Sequence, residues 1–131
     1  MNPFFLLETT RSFEAACSAL QLAVPAHGFG VLAVHDLAAT LRSKGIEFPE
    51  QCRVFEVCNP QQAAQVLAAD MALNMALPCR ISDYTQVGTT CIGMIRPEAM
   101  LSALSSNPAP ADVARQVEDS TVAIIKAAAE A

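Results

Sequence analysis

A chain of 131 residues, 53% hydrophobic and 16% charged with a net charge of −5, is long enough for one domain with its own core. Its 8 basic residues form no cluster against 13 acidic ones, which excludes a nucleic-acid groove. No window reaches the roughly 18 apolar residues of a membrane span, so the surplus of apolar residues predicts a second buried face, an oligomer seam or a ligand pocket.

The apolar run over residues 4–7 is too short for a signal segment and has no basic residue before it; it predicts a first strand, 3–8. Ser12 suits a helix cap, with Glu14 in the first turn, and Phe13, Ala16, Cys17, Leu20 and Val24 recur at helical spacing until Pro25 and Gly28. "FGVLAVH", 29–35, predicts a second strand, and Asp36 the cap of a short helix closed by Gly45. "RVFEVC", 53–58, predicts a third strand that runs into a helix start: Asn59 as cap, Pro60 at the first helical position, Gln62 completing a capping box. "CRISDY", 79–84, and "TTCIGMI", 89–95, flank a hairpin turn at Gly88. Pro97 opens a short helix, and Val113, Val117, Thr121, Ile124 and Ala128 share one face of a last helix, about 110–128.

The order β-α-β-α-β-α-β-β-α-α predicts an α+β fold: a two-layer sandwich, its mainly antiparallel sheet covered by helices on one face, in a single domain over residues 1–131. Strand side chains alternate faces. That alternation groups Phe29, Val31, Ala33 and His35 on one side of the second strand, sets Phe55 and Val57 against Val54, Glu56 and Cys58, and sets Cys91 and Ile95 against Ile92 and Met94. Both sides of the sheet then read as apolar. The uncovered side calls for a second copy of the chain, giving a homodimer, or for a flat hydrophobic ligand; the alternative is that the last two helices wrap it.

Chemistry is sparse. The 5 cysteines show no C-x-x-C pair and are expected as free thiols in a reducing compartment, the cytoplasm. Cys58 stands at the mouth of a helix, where the dipole favours a thiolate, and Cys79 opens the next strand. The pair reads either as thiols or half of a soft-metal site, or as two small buried hydrophobes. His35 ends a strand; it is a candidate metal ligand with Cys58 and Cys79, a candidate axial ligand to non-covalent haem, or a histidine bonded to backbone. Arg80 and Glu56 suggest an inter-strand ion pair or an anion grip, and Met71, Met75, Met94 and Met100 suggest core filler. No nucleophile elbow, P-loop or dinucleotide fingerprint occurs, and the carboxylates are scattered, so no enzymatic activity is indicated.

"AVHDLAATLRSKGIEF", "RVFEVCNPQQAAQVL", "MALPCRIS" and "GMIRPEAML" together resemble the bacterial domain of unknown function 302 family over residues 12–125. The resemblance implies a compact two-layer α/β sandwich, usually a homodimer, with no general enzymatic role established. The motif positions it carries over are His35, Asp36, Cys58, Asn59, Pro60, Pro78 and Cys79.

The function expected is a non-enzymatic, homodimeric protein that binds a hydrophobic small molecule, haem foremost, with His35 as ligand and Phe29, Val31 and Phe55 as apolar walls. A thiol redox or sulfur-handling protein using Cys58 and Cys79, and a dimeric scaffold without cofactor, are the alternatives.

Overall fold

Helices begin where a side chain satisfies a free backbone N–H. Ser12 accepts from Ala15 at 3.1 Å, Asp36 from Ala39 at 2.8 Å and Asn59 from Gln62 at 3.1 Å. These caps open α1 (Phe13–Ala26), α2 (Leu37–Ser43) and α3 (Pro60–Ala69). Strands β1 (Phe4–Thr9), β2 (Gly30–Asp36), β3 (Cys52–Cys58), β4 (Cys79–Gln86) and β5 (Thr89–Ile95), with helices α4 (Pro97–Leu104) and α5 (Ala111–Ala129), complete the order expected from the sequence. The structure is a computed structural model and describes residues 2–130.

Two local features differ from expectation. Pro25 lies inside the last turn of α1, and the helix stops because Gly28 takes φ +81° and donates to the Pro25 carbonyl at 3.1 Å. A 3-10 helix, Met71–Ala76, joins α3 to β4; Asp70 caps it by accepting from Ala72 at 3.1 Å.

The five strands form one antiparallel sheet in the order β1-β5-β4-β3-β2. All the helices that contribute to the core do so on one side. Leu20 of α1, Val66 of α3, Leu101 of α4 and Ile124 and Ile125 of α5 share a single core with Phe55, Val57, Ile81 and Ile92 of the sheet. The fold is α+β, and the alternative that α4 and α5 wrap the second face does not hold: they join the same layer as α1 and α3.

The register of β2 corrects the sequence reading. Val31 pairs with Val57 and Ala33 with Glu56, so two steps along β2 match one along β3, and Leu32 is the extra residue of a bulge. Residues opposite one another point to the same face. Phe29 and Val31 therefore go inward with Phe55 and Val57, whereas Ala33 and His35 lie with Glu56 and Val54 on the open face. The set expected to line one cofactor site, His35 with Phe29, Val31 and Phe55, is split between the two sides of the sheet.

Candidate functional site

A trough on the open face is built from alternate residues of four strands. β1 contributes Phe4 and Leu6, β5 Gly93 and Ile95, β4 Arg80, Ser82 and Tyr84, and β3 Val54. Among the described residues no helix lies over them, and Phe4, Leu6 and Ile95 are 55%, 46% and 49% exposed. Gly93 makes the floor. A Cβ there would meet Leu6 Cδ1 at 2.8 Å and the Phe5 carbonyl at 3.1 Å, so only glycine lets Leu6 lie across the sheet. The result is a trough of about 430 Å³, within the size range of small-molecule sites.

Arg80 stands on the wall of this trough. It pairs in register with Glu56, but the expected ion pair between them is not formed: the Glu56 carboxylate is bonded to His35 Nε2. Among the described residues Arg80 has no acidic partner. An unpaired guanidinium beside apolar walls attracts an anionic group that also offers a planar pair of oxygens.

Cys58 and Cys79 are close neighbours. Val57 pairs with Cys79, and both cysteines line a cavity of about 30 Å³ together with Phe29, Asn59, Gln62 and Pro78. That is room for water and not for an organic ligand. Burial, and secondarily the charge of Cys58, pushes the Cys79 thiol up to about 11. The capping box at Asn59 is half closed: Gln62 donates its backbone N–H, but its buried Oε1 finds no partner.

His35 does not join the two cysteines. Cys58 pairs with Gly30, five residues before His35 on the same strand, a separation of roughly 16 Å at 3.2–3.4 Å per residue. The metal set His35, Cys58 and Cys79 is thus pulled apart by strand length. Among the described residues no group of three His, Cys, Asp or Glu side chains converges as metal ligands.

Sequence reading missed a buried acid. Asp83 is fully buried on the helix side, in phase with Ile81, and among the described residues no well-formed hydrogen bond reaches either of its oxygens. Burial pushes its carboxyl up to about 7, against the pull of the Cys17 thiol and the Arg53 guanidinium. Cys17 in turn is pushed up to about 12 by burial and by the Asp83 charge. Arg53 is committed elsewhere: Glu14 accepts from it at 2.6 and 3.1 Å, Asp36 at 3.3 Å, and it lies 5.0 Å from the centre of the Phe13 ring. The signal was present in the sequence, since the alternation that buries Ile81 also buries Asp83.

The family described as Domain of unknown function DUF302 matches residues 5–128. The crystal structure of an uncharacterized conserved protein DUF302 from Bacillus stearothermophilus superposes with a TM-score of 0.93 at 28% identity, covering 99% of this chain and 100% of that one. No curated protein matches the chain.

Proposed function

Since the chain belongs to the domain of unknown function 302 family, whose description carries no activity, we propose from its own geometry that it is a non-enzymatic homodimeric protein that binds an apolar molecule with an anionic head. The observation that carries this reading is Arg80, a cation without an acidic partner among the described residues, on the wall of an apolar trough. Phe4, Leu6, Val54 and Ile95 supply the surface an apolar body leaves water for, and Arg80 supplies a bidentate grip for a carboxylate. A second copy packed face to face would hide Phe4 and Ile95 and close the trough into a seam.

Haem, an apolar plate with carboxylates, falls in this ligand class. In this reading its carboxylates meet Arg80, and His35 plays no axial role, because it does not line the trough and its Nε2 is bonded to Glu56. The thiol reading has less support: Cys79 holds its proton, which slows it as a nucleophile.

Titration of the purified chain with hemin and with an anionic naphthalene fluorophore tests the proposal, alongside light scattering for its mass. Saturable binding that Arg80→Leu weakens is the expected result. A dimer that binds neither probe leaves the scaffold reading in its place.

A further inference from the structure

The sulfur-bearing residues beside the trough carry a second, independent inference. Met71 and Met75 were expected in the core, yet they are 67% and 83% exposed on the 3-10 helix. A methionine that only fills space sits among apolar neighbours. Met75 instead lines an open hollow of about 280 Å³ together with Met100, Cys79, Pro78 and Arg80. Three sulfur-bearing residues from three segments, the 3-10 helix, α4 and β4, thus line one hollow.

We propose that Cys79, Met75 and Met100 form a site for a soft monovalent metal ion, Cu(I), with one thiolate and two thioethers as ligands. Thiolate and thioether donors select Cu(I). Zn²⁺ looks for thiolate, imidazole or carboxylate, and of these the hollow offers one thiol only. Arg80 on the rim repels a dication, whereas a Cu(I)–thiolate unit is neutral and suits walls made of Leu77 and Pro78. Met75 stands in water and is the ligand an arriving ion meets first.

Binding is a metal-for-proton exchange at Cys79. The S–H bond breaks, the S–Cu bond forms, the proton goes to solvent, and copper stays Cu(I) throughout. The other titratable or charged groups that line the hollow and the adjoining cavity are Arg80 and Cys58. Because one proton leaves for each ion bound, apparent affinity rises with pH.

The test is an anaerobic titration of the full-length, reduced chain with Cu(I) against bicinchoninate, with proton release recorded in parallel. The expected result is one Cu(I) withdrawn per chain with one proton released. Met75→Leu, on an exposed side chain that does not support the fold, should weaken binding about tenfold or more, and Met100→Leu likewise. Cys79→Ser should abolish binding, and Cys58→Ser should leave it unchanged. Thermal melts identify any variant that unfolds, and Met75→Leu decides the matter if Cys79→Ser does. Failure of the wild-type chain to take copper from the chelator would overturn the proposal. So would full affinity in Met75→Leu, or loss of binding in Cys58→Ser, which would move the metal to the thiol pair.

Discussion

Glu56 and Arg80 face each other across β3 and β4, and they are not paired. The Glu56 carboxylate is taken by His35 of the edge strand β2. His35 reaches it only because the bulge at Leu32 turns the end of β2 over, onto the open face. One extra residue in an edge strand thereby leaves a guanidinium free at the wall of an apolar trough.

That chain of causes is open to a double-variant experiment. His35→Ala releases Glu56, whose carboxylate then competes for Arg80 and lowers affinity for an anionic apolar probe severalfold. Glu56→Gln in the same chain removes the competitor and restores it. Equal affinities in the wild type, the single and the double variant would disconnect His35 from the trough.

Gly93→Ala should fill the floor of the trough. The new methyl group would stand 2.8 Å from Leu6 Cδ1, so Leu6 has to lift off the sheet into the space a ligand uses. Denaturant unfolding should show a loss of about 1–3 kcal/mol, the range for overpacking, and probe binding should weaken as well. Wild-type affinity in a folded variant would place the ligand elsewhere.

Asp83 sets a pH dependence of stability. Its carboxyl titrates at about 7 in the folded chain against about 3.9 when unfolded, so the folded state holds the extra proton between those values. The contribution of Asp83 to stability is then highest below about pH 4, falls as pH rises from there to about 7, and is level above. Asp83→Asn should flatten that slope and stabilise the chain at pH 8 by about 2 kcal/mol. Urea unfolding at pH 5 and pH 8 compares the two, and an unchanged slope in the variant would assign the dependence to another group.

The β4–β5 turn holds strain that can be removed. Val87 takes φ +48° and Gly88 φ +81°, the pattern of a two-residue hairpin turn in which asparagine is the usual first residue. A β-branched residue is costly there. Glu50 helps hold it, accepting the Val87 N–H at 2.7 Å and the Thr85 hydroxyl at 2.8 Å, and the same bonds keep its carboxyl below the usual range. Val87→Asn should raise stability by about 1 kcal/mol in denaturant unfolding. A loss would mean that Val87 packs on something in solution.

What could be read in the sequence was what neighbouring residues decide. Ser12, Asp36 and Asn59 cap helices through contacts three residues away, and β5 alternates without interruption, so both were legible. The bulge was not, because a period-of-two reading cannot show where an extra residue sits; every residue of β2 after Leu32 was assigned to the wrong face, His35 among them. Arg80 and Glu56 were rightly seen as cross-strand neighbours, but the competitor for Glu56 comes from a third strand through that same bulge. Met71 and Met75 were misread as core because the 3-10 helix has no periodic face long enough to reveal that it points outward. Asp83 was legible and was passed over: its phase with Ile81 places it inside.

The most direct test of the proposed binding face compares a straight-chain carboxylate with the alcohol of equal length, titrated into the wild-type chain and into Arg80→Leu. Saturable binding is expected, in which the wild type prefers the carboxylate by about tenfold, the worth of one charge-assisted pair, and the variant binds both alike. Equal affinity of the wild type for acid and alcohol, or no saturable binding of either, would contradict it.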